Sequence, residues 1–343
     1  MSSFVCQVRS ITVEPHPNAD LLEIGLIDGY QFVVRKDEFK TGDLGIYFPE
    51  AALLPTALIE EMGLTGKLAG PEANRVKAIK LRGVLSQGLF YRPVTWPEHW
   101  IIGLNVANEL GIIKWEPPIP LQMAGQVEPA PTDTMFRTYT DIEDIKRYPN
   151  LLQEGETVIM GEKLHGSCTI LGVLKGQRII SSKGLASKHL IIKEEISNIY
   201  WRVAHQEGLF EKLERYLRDN ELDEALLFGE VLGIQDLMYG LKKGTLAYRA
   251  FDLYINREFV SYEAFQHFCQ EYEVKSVPIV YEGPFSKDVL AEHTAGVSTM
   301  ANHIREGVVV RPIVERSDLE SGRVILKSVS ADYLVRKGGT ELN

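Results

Sequence analysis

The strongest constraint on this chain is a design that recurs along its second half. A short apolar run, rich in β-branched residues, ends on a charged residue or opens from one. Val158-Ile159-Met160 leads to Glu162 and Lys163, Ile179-Ile180 to Lys183, and Ala225-Leu226-Leu227-Phe228 to Glu230. Glu306 opens Val308-Val309-Val310, and Val324-Ile325-Leu326 ends at Lys327. Such runs, bounded by glycine and turn residues, read as buried strands. Burying an unpaired charge is expensive, so charges at strand ends need partners. Ion pairing within the set would account for any one pair and accounts poorly for the series. Three lysines and two acids suit a polyanion with a divalent metal, the cations on phosphate and the acids on sugar hydroxyls or the metal. That arrangement suits phosphoryl or nucleotidyl transfer, where positioning and charge neutralisation do most of the catalysis. Lys163, ahead of the turn His165-Gly166-Ser167, is the candidate nucleophile. Desolvation or a nearby cation makes a lysine reactive by lowering its pKa.

The other elements of this half follow from the same signals. Thr157–Glu162 and Cys168–Leu174 read as partner strands, with further strands at 224–232 and 246–255. Residues 188–220 read as a long amphipathic helical region broken near Gly208, its apolar face including Leu190, Ile191, Ile196, Ile199 and Phe210. A short helix is expected over 141–147, stopped by Pro149, and another over 261–272, with Ser261 as its cap.

The first hundred residues are built differently. Short strands at 4–13, 22–27, 31–35, 44–48, 76–81 and 88–92 are separated by Pro, Gly and Asn/Asp turns, including the hairpin dipeptide Asp28-Gly29. Close spacing of this kind indicates a small closed β-barrel. Between the two halves, Trp115-Glu116-Pro117-Pro118 and Glu128-Pro129-Ala130-Pro131 read as an extended linker over 116–135. The expected organisation is a barrel over 1–115 and a second domain over 136–343.

Composition sets the outer bounds. The 343 residues suggest two domains, and no apolar run approaches the ~20 residues needed to span a bilayer. The N-terminus lacks a charged start followed by an apolar stretch, so no signal peptide and no membrane partner are expected, and a cytoplasmic location is. Three dispersed cysteines fit a reducing compartment and argue against structural zinc. A net charge of −10 does not announce a nucleic-acid binder, but local basic patches matter more than the total.

His16-Pro17-Asn18-Ala19-Asp20 and Lys40-Thr41-Gly42-Asp43 resemble segments of tRNA-binding OB domains and of the N-terminal domains of some RNA ligases. The resemblance implies an OB-like, oligonucleotide-binding barrel. Its candidate phosphate contacts are Arg35, Lys36, Lys40 and the cluster Arg75, Lys77, Lys80 and Arg82.

In the second half, Lys163-Leu164-His165-Gly166-Ser167, Ser182-Lys183-Gly184, Phe228-Gly229-Glu230, Phe251-Asp252, Glu306-Gly307-Val308-Val309 and Ile325-Leu326-Lys327 resemble the ordered motifs of covalent nucleotidyltransferases. The Lys-x-His-Gly form is similar to that of nick-sealing RNA ligases. The resemblance implies an α+β chain, in which an OB-like barrel precedes an ATP-grasp-like nucleotidyltransferase domain of antiparallel sheets plus helices. It further implies an ATP-dependent RNA ligase, acting with Mg²⁺ or Mn²⁺ as a monomer on nicked RNA or RNA/DNA duplexes. Lys163 would attack the α-phosphorus of ATP, with surrounding cations favouring its neutral amine. Lys327 and Lys183 would serve the phosphates and strand ends. Glu162, His165, Gly166, Glu230 and Phe251 would hold the nucleotide, and Glu306 with Glu230 the metal. A capping-type guanylyltransferase and a non-catalytic RNA-binding protein are the alternatives. Two positions depart from the family pattern: Cys168 replaces a usual Asn, and Ile325 replaces the first lysine of the last motif.

Overall fold

Apolar runs that pair on both edges become the interior of sheets, and in the second half they build two. The computed structural model describes residues 4–340. One antiparallel sheet sets its strands in the order Leu326–Val329, Gly307–Pro312, Thr157–Lys163 and Ile279–Pro284. The other runs Gln177–Ser182, Ser167–Leu174, Glu224–Leu232, Ala247–Ile255 and Glu258–Phe259. The chain passes from the first sheet to the second within the three residues Leu164-His165-Gly166. Gly166 is needed there because a Cβ would overlap the carbonyl oxygen of Val231.

The second sheet packs against helices Ile199–Gln206, Leu209–Asp219 and Tyr262–Glu271. Leu209, Phe210, Leu213 and Leu217 line one helical face and are buried, as spacing of three and four residues requires. Ser261 caps the last helix, its hydroxyl accepting from the backbone N–H of Ala264 at 3.2 Å.

Three sequence expectations need correction. The region 188–220 is not continuous helix. Leu190–Ile192 is a strand paired with Val127–Pro129, Ile196 is exposed, and helix begins at Ile199, capped by Asn198. β-branched Ile191 and Ile192 reach the core as strand residues, an ambiguity that short apolar runs carry. The expected helix 141–147 shrinks to a 3₁₀ turn at Ile145–Arg147, started by the Asp144 side chain. The proline-rich stretch holds a helical turn at Leu121–Ala124 and the strand just named, and Met123, Ala130 and Met135 are buried.

The chain divides into two units. The first contains the described residues up to Glu116 together with Glu143–Leu151, and the second contains Pro117–Ile142 and the described residues from Leu152 on. In the first, Gln7–Ser10, Leu44–Phe48 and Leu89–Tyr91 form one sheet, and Thr12–Pro15, Leu22–Ile27 and Tyr30–Arg35 another. Ile11, Ile27, Phe32, Phe39, Tyr47 and Phe90 fill the interior between them. The hairpin Ile79–Leu81/Val84–Ser86 lies beside Tyr30–Arg35, where Ser86 Oγ accepts from the N–H of Val33 at 3.0 Å. No described helix is long and apolar enough to cross a membrane.

Candidate active site

The strand carrying Lys163 alternates its side chains between two environments. Ile159, Gly161 and Lys163 line a cavity of about 280 Å³ that residues of both sheets enclose. Glu162, one residue back, turns its carboxylate to Thr299, which donates from its N–H at 2.8 Å and its Oγ1 at 2.6 Å. The register places Lys163 opposite Gly307, so Glu306 arrives beside the lysine. Lys163 Nζ donates to Glu306 Oε1 at 2.5 Å. The next strand brings Lys327 opposite Val309, and both line the same cavity.

From the other sheet come Cys168, Glu230 and Phe251. Cys168 and Glu230 are register partners. The pairing of Phe228 with Asp252 and of Gly229 with Ala250 leaves Phe251 as the extra residue of a β-bulge. Bulges of this kind re-aim a side chain at the edge of a site. Lys183 closes the group, paired with Asp141 at 2.8 Å and donating to the Thr140 carbonyl at 3.2 Å.

Thus Lys163, Lys183, Glu230, Phe251 and Lys327 converge on one cavity, with Glu306 against the lysine. Glu162 borders the cavity; Thr299 holds its Oε2, and its Oε1 is buried without a hydrogen-bond partner. The sequence pattern missed Tyr139, Tyr262, Gln266 and Arg311, which line the cavity from outside the recognised motifs or from unassigned places within them. It also missed Asp252 as an anchor. This fully buried carboxylate takes Arg311 Nη1 at 3.0 Å, Arg323 Nη1 at 2.5 Å and the Tyr139 hydroxyl at 2.7 Å. Arg323 is committed to Asp252 and Glu315.

The electrostatics correct one expectation. Burial disfavours the ammonium of Lys163, but Glu306 and Glu230 outweigh it and hold its pKa above the ordinary lysine value. In the free protein this lysine is therefore charged, because its nearest neighbours are acids and not cations. Glu230 is pushed up to about 8 by burial and by Glu306, against the pull of Lys163, while its Oε1 accepts from the Gly166 N–H at 2.9 Å. Burial raises the Cys168 thiol to about 12, so it is no thiolate. Burial lowers the pKa of His165.

Among the described residues no cluster of three or more His, Cys, Asp or Glu could hold a metal. The acids at the cavity are Glu230 and Glu162, with Glu306 beside Lys163. Glu306 Oε2 is buried without a hydrogen-bond partner, an oxygen that a hard cation would satisfy. Mg²⁺ keeps several waters and is commonly held by one or two carboxylates plus phosphate, so this donor set fits.

The family model for RNA ligase matches residues 156–329. The chain belongs to the RNA ligase family. A second model, for an OB-fold domain, matches residues 5–94. Solved structures of RNA ligase from Naegleria gruberi share the fold. A mutant form with AMP and Mn is 25% identical at a TM-score of 0.81, the match covering 96% of this chain and 98% of that one. A mutant form with ATP and Mn is 24% identical at a TM-score of 0.80, with the same coverage. The protein with PPi matches at 0.80, 24% identical, covering 96% of this chain and 97% of that one. No curated protein matches the sequence. Lys163, Glu230 and Lys327 of the cavity, and Glu306 beside Lys163, fall inside the matched ligase segment, and the hairpin with Lys80 and Arg82 inside the OB-fold segment.

Proposed function

We propose that this RNA ligase uses ATP to join a 3′-hydroxyl to a 5′-phosphate at nicks in RNA-containing duplexes, through a lysyl-AMP on Lys163. The observation that carries the reading is the meeting of Lys163, Glu306, Glu230, Lys183, Lys327 and Phe251 around one cavity. The Naegleria structures with ATP and Mn, AMP and Mn, and PPi support it, because those molecules correspond to the reactant, the transferred group and the leaving group of nucleotidyl transfer.

In this mechanism Lys163 Nζ loses a proton and attacks the α-phosphorus. The bond to the β-phosphate oxygen breaks, and pyrophosphate leaves. An oxygen of the RNA 5′-phosphate then takes the adenylyl group, returning the amine of Lys163. Finally the 3′-hydroxyl attacks the activated phosphate and AMP departs. Splitting the reaction in this way replaces one hard displacement by easier ones. A Mg²⁺ or Mn²⁺ ion, when bound, supplies positive charge against the triphosphate.

The chain's own groups do the rest. Glu306 and Glu230 would hold the cation. Lys327 neutralises the α-phosphate, and Lys183 serves phosphate or the nucleic-acid end. Glu230 also reaches a ribose hydroxyl, and Phe251 stacks on the adenine. His165 and Gly166 shape the turn after the nucleophile. Glu162 keeps its place as a nucleotide ligand through Oε1, which is buried without a hydrogen-bond partner while Thr299 holds Oε2. The first unit serves as the nucleic-acid clamp, through Lys77, Lys80, Arg82 and Arg35.

The test is incubation with Mg²⁺ and α-labelled ATP or GTP, followed by denaturing electrophoresis, beside Lys163→Ala. Label retained from ATP and absent in the variant supports the reading. Nicked duplexes with RNA or DNA at the 3′-hydroxyl then define the substrate. Label from GTP alone points to guanylyl transfer. No label in folded protein that is not already adenylylated overturns the mechanism.

A further inference from the structure

The cavity has two unlike ends, and the sheet register tells them apart. Lys163, opposite Gly307, marks the charged end, where Lys183, Glu230 and Lys327 also stand. Four residues back along the same strand, Ile159 is paired with Arg311. At about 3.3 Å per residue that is about 13 Å from the lysine. The Arg311 guanidinium lies over the Tyr262 ring at 5.6 Å, so the helix Tyr262–Glu271 closes this second end. Tyr262, Phe265 and Gln266, at spacings of three and four, share one helical face and all line the cavity. Glu263, Ala264 and His267 point the other way and are exposed. With Ile142, Ile159 and Ile325, the second end is mostly apolar.

The polar groups at that end are few. Arg311 is spent on Asp252 at 3.0 Å and Glu315 at 3.2 Å, and the Tyr139 hydroxyl on Asp252 at 2.7 Å. The side-chain amide of Gln266 is half-buried and makes no hydrogen bond among the described residues. Polar groups inside a protein normally have partners, so an amide left open on an apolar cavity wall is one that a ligand can satisfy. Glu162 Oε1 also lacks a partner, but its residue adjoins Lys163 at the charged end. The Tyr262 hydroxyl makes no hydrogen bond among the described residues either. A hydroxyl donates or accepts as it rotates and cannot tell bases apart, whereas an amide sets one donor beside one acceptor. Adenine presents the matching pair, a 6-amino donor beside a ring-nitrogen acceptor.

We propose that Gln266 is a specificity-determining residue of this ligase: its side-chain carbonyl accepts from the 6-amino group of adenine, and its NH₂ donates to the adjacent ring nitrogen. The inference deepens the proposed reaction and rests on it, because it takes the phosphates to the Lys163 end and the base to the far end. Phe251 then meets the face of the ring and Gln266 its edge.

The experiment measures nucleotide binding by titration calorimetry, on the whole protein carrying Lys163→Ala so that no reaction follows. Mn²⁺ is present, and the ligand is ATP or purine riboside triphosphate, which lacks the 6-amino group. The background protein should prefer ATP by roughly 5–150-fold, the worth of one well-placed amide pair. Adding Gln266→Leu should weaken ATP by a similar factor and bring the two nucleotides within about twofold of each other. Adding Phe251→Leu instead should weaken both nucleotides and keep the preference. If Gln266→Leu does not fold, Gln266→Ala serves with the same expectation. No preference in the background protein, a preference that survives the loss of Gln266, or one that falls as far in Phe251→Leu would each overturn the proposal. Lysyl-nucleotide formation is followed in parallel in protein that retains Lys163. ATP that binds but forms no lysyl-nucleotide refutes the ligase mechanism, while the binding ratios still decide whether Gln266 reads the base. Absence of ATP binding refutes both.

Discussion

Lys163 Nζ and Glu306 Oε1 meet at 2.5 Å, across two antiparallel strands whose register sets the lysine opposite Gly307. The proposed nucleophile thus starts the reaction as an ammonium bound to a proposed metal ligand. Burial opposes that charge and the two acids sustain it, so the lysine must shed a proton before it attacks. The rate of lysyl-nucleotide formation, at saturating ATP and metal, should climb with pH by about tenfold per unit while the ammonium predominates. Rapid-quench measurements of label transfer across neutral and mildly alkaline pH check this. A flat profile would mean that the amine is already neutral when ATP is bound.

Glu230 gives the opposite kind of pH signature, and it concerns stability. Its folded pKa is about 8, against 4.5 for an ordinary glutamate. Below the ordinary value both folded and unfolded chains hold the proton. Between the two values only the folded chain does, so this group makes stability fall as pH rises through that window. Glu230→Gln removes the falling component. Urea titrations of metal-free protein should show the variant gaining on the wild type from pH ~4.5 to ~8. A difference that stays constant with pH would refute the raised pKa.

Asp252 anchors the wall of the cavity. It is fully buried, and Arg311, Arg323 and Tyr139 all spend hydrogen bonds on it. Removing one partner of a buried ion cluster leaves uncompensated charge, which costs about 3–5 kcal/mol. Asp252→Ala should lose about that much in chemical denaturation. Asp252→Asn, which keeps the shape and one acceptor, should lose less. Arg316→Ala, at a partly exposed pair with Glu156, should lose no more than about 1 kcal/mol.

Most of the site was legible because the chemistry sits at strand ends, and strand ends are where period-two patterns stop and glycines begin. Lys163, Lys183, Glu230 and Lys327 were found in that way. Three things were not. Thr299 holds Glu162 Oε2 from 137 residues away, and the motif alone does not say so. The bulge that frees Phe251 from the ladder depends on pairing with another strand. The Asp236 contact with His165 spans 71 residues, and no local pattern encodes it. The helical reading of 188–220 failed for a related reason: Leu190–Ile192 is a strand only because Val127–Pro129 pairs with it.

Phe251 is the side chain on which two roles compete. It packs on Tyr139 with ring centroids 4.8 Å apart, yet it also lines the cavity. A base stacked on an aromatic ring is worth about 1–3 kcal/mol by alanine substitution. Phe251→Leu keeps apolar volume while removing the ring face. It should raise the KM for ATP by roughly 5–150-fold and leave the melting temperature nearly unchanged. A lowered melting temperature with unchanged KM would assign the ring to the core instead.

In the first unit the basic cluster divides. Arg75 lies over the Trp115 ring at 3.9 Å and is half-buried. Lys80 and Arg82 are exposed on the hairpin, whose tip is fixed by His16 at the Leu81 carbonyl, 3.2 Å, and by Asn18 Nδ2 donating to the Arg82 carbonyl at 3.2 Å. Arg35 ends the strand beside it. Phosphate contacts release counterions, so each one lost lowers the steepness of log affinity against log salt by about 0.7–0.9. Lys80→Ala with Arg82→Ala should therefore weaken binding of nicked RNA duplex and flatten the salt dependence by about 1.5. Arg75→Ala should leave that slope unchanged and instead cost about 0.5–1 kcal/mol of stability through the lost Trp115 contact. Fluorescence anisotropy at several salt concentrations, with a melting curve for each variant, separates the two effects. If the double variant keeps the wild-type slope, the hairpin does not touch phosphate and the clamp lies on another face of the barrel.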